Sequence, residues 1–309
     1  MASLRTPITG TIPFSREKPL VLTKSFIHRA NRCVCSASNP RGNIIKVVVN
    51  GAAGELGRAA IAAISRARGM EVAGAVDMQF VGQDAGEVAG LQEPLELPII
   101  NDLVMVLGSL SQNTTSGVMV DFNTDSTLVH DNVRQATAFG MKSVVCGGVL
   151  EPDDLNSLSA FCEKASMGCV VAPTLSIGRV LLQQAAVAAA FNYGYAEIVE
   201  SRPNYKVYPS TEAEELATSL SGLGKIYNGG DLSQGNVAKG AVVGDGVRVH
   251  SLSTPSRTSS VEILLSSPGE ALSYKHEITD VRALMPGLLV AIRRVVRLKN
   301  LVYGLEKIL

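Results

Sequence analysis

Residues 44–77 constrain the fold more than any other stretch of the chain. They read IIKVVV, then NGAAGELGRAAIAAISRARG, then MEVAGAVD. Ile44 to Val49 is a short β-branched run, long enough for a buried strand and too short for a buried helix. Gly51, Gly54 and Gly57 follow at spacings of three, and Leu56, Ala60, Ile61 and Ile64 then recur at helical spacing. Met70 to Val76 is a second apolar run that ends in Asp77, 20 residues after Gly57. Strand, glycine turn, helix, strand and terminal acid predict a dinucleotide-binding βαβ unit. Glycines let the backbone approach a pyrophosphate, and amides at the helix start hold its charge. Asp77 is positioned to accept hydrogen bonds from a ribose diol.

The rest of the chain extends this pattern. Helices are expected after a cap at Asn101 or Asp102 through about Leu110, from Asp125 to Phe139 and from Pro152 to about Ser166. Strands are expected at Gly117–Phe122, Lys142–Val145 and Cys169–Ala172. Such alternation implies a parallel sheet. After Pro173 the pattern changes. A long Ala/Leu helix over Ser176–Phe191, a strand over Ala196–Glu200 and a helix over Thr211–Leu223 precede strand-like runs at Val247–Leu252, Ser260–Ser266 and Leu272–Ile278. These predict a second, α+β domain with a mixed sheet. A last helix follows Pro286. The expected fold class is therefore α/β, with a Rossmann-type domain over 43–172 completed by 286–309 and a substrate-type or oligomerisation domain over 173–285.

The 309 residues carry no net charge, but the distribution is uneven. Residues 1–42 hold seven Lys/Arg and a single acid, Glu17, and are rich in Ser and Thr. This is transit-peptide composition of the chloroplast kind. The remainder has 21 basic and 27 acidic residues, which gives no support for nucleic-acid binding. There is no run of 18 apolar residues, so no membrane span is expected. The five cysteines lack CxxC spacing, which argues against a zinc site or a disulfide framework.

Long collinear blocks resemble a known family. VNGAAGELGR (Val49–Arg58), VGQDAGEVAGL (Val81–Leu91), MVDFNTDSTLVHDNVR (Met119–Arg134), LSIGRVLLQQAAV (Leu175–Val187), VRVHSL (Val247–Leu252) and the C-terminal MPGLLVAIRRVVRLKNLVYGLEKIL (Met285–Leu309) make residues 43–309 similar to dihydrodipicolinate reductase. This is the NAD(P)H-dependent reductase of lysine biosynthesis, and the similarity is greatest to its cyanobacterial form. The resemblance implies that Gly51, Ala52, Ala53, Gly54, Glu55, Leu56, Asp77, Cys146, Gly147 and Gly148 line the dinucleotide site. It also implies a homo-oligomer, usually a tetramer built through the second sheet. Glu55 stands where the family often has a basic residue, so NADH is expected over NADPH.

The family's catalytic motif is altered. Where the family reads roughly E-[LA]-H-H-x-x-K-x-D-A-P-S-G-T-A, residues 200–214 read ESRPNYKVYPSTEAE. Glu200 and Lys206 match, and the resemblance implies that Lys206 is a remnant of the catalytic site, retaining anion binding or proton donation, where the residue alone reads as a solvated surface charge. The two histidines are Arg202 and Pro203, and the Ser-Gly-Thr carboxylate cradle is Thr211, Glu212 and Ala213. A chloroplast reductase-like group, the chlororespiratory reduction set, has this look. The resemblance to that group implies a stromal protein needed for assembly or accumulation of the chloroplast NAD(P)H dehydrogenase-like complex, whose subunits or assembly factors are its partners. The alternative is an NAD(P)H-dependent reductase of the lysine pathway, or a related one with a changed substrate.

Overall fold

The computed structural model describes residues 44–111, 117–147, 150–203, 207–223, 225–228, 240–255 and 258–309. The transit-type segment, Gly148 and Lys206 lie outside the described residues.

The β-branched run forms β1 (Ile45–Asn50), and α1 (Glu55–Arg66) and β2 (Met70–Val76) follow as the spacing predicts. The chain continues through a short helix α2 (Ala85–Val88), β3 (Ile99–Ile100), α3 (Leu103–Ser111) and β4 (Gly117–Asp121). Then come α4 (Ser126–Ala138), β5 (Lys142–Val145), α5 (Pro152–Ala165) and β6 (Cys169–Val171). Asp102 caps α3 by accepting from the Val104 and Met105 amides, and Asp125 caps α4 through the Thr127 amide. These contacts satisfy donors that a helix start leaves open.

In the first sheet the strand order is β12-β6-β5-β4-β1-β2-β3, where β12 is Leu301–Tyr303 near the C-terminus. All of its pairings are parallel. Side-chain alternation divides its core in two. Val47, Val49, Val120, Val144 and Val170 face α1 and the last helix α8 (Met285–Val295), through Ile61, Ile64, Leu288, Ile292 and Val295. Val48, Met119, Val145 and Val171 face α3, α4 and α5, through Leu107, Val129, Val133 and Leu158. Both faces are covered, as a parallel sheet requires. The strand order reverses between β1 and β4, and the crevice at their carboxyl ends is where such folds bind ligands.

The second sheet has the order β11-β10-β7-β9-β8. It is built from β7 (Tyr195–Pro203), β8 (Ala241–Val243), β9 (Val247–Thr254), β10 (Ser259–Ser267) and β11 (Glu270–Ile278). β7 runs antiparallel to β10 and parallel to β9, so the sheet is mixed. One face is packed by α6 (Ile177–Ala190) and α7 (Thr211–Ser221), through Leu182, Ala186, Leu216 and Leu220 against Ile198, Val249 and Ile263. No helix among the described residues is long and apolar enough to cross a membrane.

Two differences from the sequence expectation bear on the site. β7 does not stop at Glu200. It continues because Ser201, Arg202 and Pro203 pair with Leu252, Ser253 and Thr254 of β9. Arg202 is therefore a strand residue with a fixed direction, not part of a loop. In addition, the polar passage after β2 is organised by one carboxylate. Asp84 accepts from the amides of Gly86, Glu87, Leu95 and Leu97, which pins residues 84–97 as a unit.

Candidate functional site

The turn after β1 is spent on closing itself. The Gly51 and Ala52 amides donate to the Val76 carbonyl, and the Ala53 amide donates to Asp77 Oδ2 at 2.9 Å. Gly51 has φ +85°, and a Cβ there would meet Phe122 at 3.2 Å. At Gly57 a Cβ would stand 2.0 Å from the Gly51 carbonyl oxygen and 2.8 Å from Ala52 Cα, so only glycine lets α1 pack on the turn. Gly54 is different. Its φ is −66°, and a Cβ would touch nothing nearer than 3.5 Å. It caps α1 without a side-chain bond and is exposed. The fold does not need glycine at that position, whereas an approaching pyrophosphate would.

A matched pair of substitutions separates the two roles. Gly57→Ala is expected to destabilise by about 3 kcal/mol through backbone overlap. Gly54→Ala is expected to cost about 1 kcal/mol or less while weakening dinucleotide binding at least tenfold. Thermal melts and calorimetric titration check both, and unchanged affinity in Gly54→Ala would remove the ligand role of this turn.

Asp77 ties down the turn as well as facing the crevice. Oδ1 accepts from the Gln79 amide at 2.9 Å and Oδ2 from Ala53, which leaves about half of the acceptor capacity of a carboxylate for a ribose. Glu55 and Arg58 are both exposed at the start of α1. They line a cleft of about 710 Å³ that runs to Pro203, Ser259 and Asp280. Leu56 lies deeper, in an adjoining cavity of about 200 Å³ with Cys146, Thr174, Leu175, Arg179, Arg202, Glu212 and His276. The two spaces share Ser259 and Ile278.

The opposite wall of the crevice is rigid. A Cβ on Gly147 would sit 2.2 Å from the Asn123 carbonyl oxygen, so the loop after β5 packs directly on the loop after β4. Asp121 is fully buried there and accepts from the side-chain amides of Asn50, Asn123 and Asn132 and from the Asn123 backbone. Burial raises its carboxyl above the ordinary range, against the pull of these donors. Burial and the nearby Asp121 charge push the Cys146 thiol up, so it is not a thiolate at neutral pH.

The altered motif forms an ion network. Glu200 is fully buried and accepts from the Ser210 amide at 2.9 Å, the Ser210 hydroxyl and the Ser251 hydroxyl at 2.6 Å. Burial raises its carboxyl, but these bonds and Arg202 outweigh that and hold it below the ordinary 4.5. Arg202 Nε lies 3.4 Å from Glu200, and its Nη2 pairs with the Glu212 carboxylate. Arg179, on α6, is 8% exposed and donates from Nη2 to the Glu212 carbonyl oxygen at 2.9 Å. Glu212 puts a negative charge at the glycine position of the family's carboxylate cradle. In the structure that charge is already matched by Arg202.

Three residues of the site escape the sequence reading. Arg179 sits in an Ala/Leu helix, where a lone cation is itself a signal of a partnered charge. Asp121 ends an apolar strand. His276 enters the cavity from β11, far from the altered motif, with Nε2 3.4 Å from the Ser176 hydroxyl. Its ring packs so closely on Gly178 that a Cβ there would be 2.5 Å away. Burial and the Arg179 charge keep it neutral near pH 7. Among the described residues no cluster of His, Cys, Asp or Glu has metal-ligand geometry.

Comparisons with known proteins show the family and the fold. The family model "dihydrodipicolinate reductase, N-terminus" matches residues 45–175, and "dihydrodipicolinate reductase, C-terminus" matches residues 178–309. The chain is 58% identical over 276 residues to the dihydrodipicolinate reductase-like protein CRR1, chloroplastic, of Arabidopsis thaliana, covering 89% of this chain and 92% of that one. It is 44% identical over 273 residues to the 4-hydroxy-tetrahydrodipicolinate reductase of Trichormus variabilis, covering 86% and 98%. A dipicolinate-bound dihydrodipicolinate reductase from Paenisporosarcina superposes with a TM-score of 0.71 at 25% identity, covering 86% of this chain and all of that one.

Proposed function

The chain belongs to the dihydrodipicolinate reductase family, and from that premise we propose that it is a stromal member that no longer makes the lysine precursor. We assign it instead to assembly or accumulation of the chloroplast NAD(P)H dehydrogenase-like complex. The observation that carries the loss of activity is the ion network at Arg202. An arginine held between Glu200 and Glu212 stands where the family motif has a histidine, and it cannot give up a proton near neutral pH. The plastid role draws on the relative labelled chloroplastic and reductase-like, and on the basic, Ser/Thr-rich composition of residues 1–42. Self-association is placed on the second sheet, on the face away from α6 and α7. The test pairs nucleotide oxidation, with the dihydrodipicolinate precursor as substrate, with accumulation of the complex in plants lacking the chain. Normal accumulation there would refute the assembly role.

The residues present suit a nicotinamide dinucleotide, which the fold and its reductase relatives imply. The uncapped start of α1 over Glu55 and Leu56, with Gly54, would hold the pyrophosphate, and Asp77 the adenosine ribose. Bound there, the group supplies a hydride. The loop at Cys146–Gly147 and Leu56 would exclude water from the nicotinamide end. NADH is expected to bind more tightly than NADPH, because a 2′-phosphate would approach Asp77 and Glu55. Like charges in a half-wet site cost on the order of 1–4 kcal/mol, about ten- to a thousandfold. Glu55→Arg is expected to narrow the gap while leaving the Asp77–Ala53 tie intact. Calorimetric titration decides it, and tighter NADPH binding to the unmutated chain would overturn the charge argument.

His276 favours a second reading, a reductase with a changed substrate. A neutral imidazole in the cavity beside Leu56 and Cys146 could hold a proton for a reaction there. Turnover of another imine or carbonyl substrate, lost in His276→Gln, would support that reading.

A further inference from the structure

Two arginines share one small cavity. Arg179 is 8% exposed, and the Arg202 side chain is 17% exposed. Burial and the Arg202 charge disfavour the charge on Arg179, and Glu212 favours it. Leu56, Leu175 and Cys146 make the rest of the wall largely apolar. Two cations in such a place require anions, since a buried charge without a partner is costly. Glu200, beside Arg202, is one of them, and the other is also a side chain of the protein. Glu212 stands in the first turn of α7, its carboxylate on Arg202 and its carbonyl oxygen on Arg179. Its side chain is 41% exposed, so one edge of it already faces solvent.

We propose that the cavity is a carboxylate-binding site whose occupant is built in. Glu212 takes the position of a small external mono- or dicarboxylate between Arg202 and Arg179, and neutralising it opens the site. The ligand class follows from the two guanidiniums, which match carboxylates in a planar fork, and from a volume of about 200 Å³ that admits only a small molecule. Thr174, Ser260 and the His276 ring supply further polar contacts on the same wall. The inference deepens the reading of an inactive family member, since it names what fills the substrate-side cavity.

The probe is dipicolinate, a rigid dicarboxylate, titrated calorimetrically into the full mature chain. The unmutated protein is expected to bind it at least tenfold more weakly than Glu212→Gln, and Glu214→Gln on the same helix is expected to behave like the unmutated protein. Adding Arg202→Met to Glu212→Gln is expected to abolish the gained binding. Thermal midpoints establish that each variant is folded, and Glu212→Ser carries the same test if the glutamine variant is not. Equal affinity in the unmutated protein and Glu212→Gln would overturn the proposal, as would a folded Glu212→Gln that binds no dipicolinate. Precursor turnover by the unmutated chain is scored separately. Turnover would sink the inactive-member reading, while equal dipicolinate binding without turnover would sink only the built-in occupant.

Discussion

The purified chain is expected to oxidise NADH or NADPH with the dihydrodipicolinate precursor at least a hundredfold more slowly than a family reductase. A positioned acid or base contributes about 10²- to 10⁴-fold, and both motif histidines are replaced. Pro203 has no side-chain donor, and it closes β7 against Thr254. Arg202 is held between Glu200 and Glu212 and stays charged. Substrate binding is expected to be impaired for a separate reason. A dianion entering the cavity would meet Glu212, and of the cations that could receive it Arg202 already pairs with that carboxylate and Arg179 with the Glu212 carbonyl oxygen. The loss should therefore appear in KM as well as in kcat, and Arg202→His alone should not restore the rate. Turnover within about tenfold of a working family member, or rescue of a bacterial lysine auxotroph, would show that the ion network is compatible with the reaction.

Glu200→Ala is expected to be the most destabilising single change in the second sheet. It removes a fully buried carboxylate, leaves the Ser210 amide and two hydroxyls without their acceptor, and takes one ion-pair partner from Arg202. Breaking such a buried pair costs about 3–5 kcal/mol, on the order of 10 °C in melting midpoint for a chain of this size. Ser210 is also the cap of α7, accepting from the Ala213 amide, so the loss spreads into the helix that carries Glu212. The same carboxylate sets an acid limit. Its folded-state value lies below the ordinary 4.5, so its contribution is complete above about pH 4.5 and is lost as pH falls through the folded value. Melting curves from pH 7 down to pH 3 should therefore converge for the unmutated protein and Glu200→Ala. Parallel curves would mean that folding does not shift the Glu200 carboxyl at all.

The first βαβ unit was legible because its signals are local. Three glycines at fixed spacing, β-branched strands and a periodic helix state the same structure independently. The strands Ile99–Ile100, Ala241–Val243 and Leu301–Tyr303 were not legible. Two or three residues carry no period, and only a neighbouring strand makes them a strand. Arg202 was misplaced in a loop for the same reason, since its strand is extended by pairing with Ser253. At the site, the sequence gives residue types but not their partners. Asp77 reads as a ribose acceptor, yet part of its capacity holds Ala53 and Gln79 in place. Glu212 reads as a bare negative charge, and the arginine on α6 that shares its neighbourhood lies 33 positions earlier. His276 lies on an alternating strand and Asp121 ends one buried on both faces, and neither pattern shows what the side chain faces.

The order in which the chain is made has a consequence for its first sheet. That sheet begins at Ile45, but its far edge is β12, which pairs Leu301–Tyr303 with Cys169–Val171. The face shared by α1 is filled only when α8 arrives, and the Leu298 carbonyl then receives the Lys142 ammonium at 2.7 Å. A nascent chain emerging from the ribosome therefore exposes Val144, Val170 and half of the apolar face of α1 until the last two dozen residues are free. Folding in this protein closes from its tail, and a premature stop codon before α8 would leave the nucleotide-binding half, not the downstream half, without its lid.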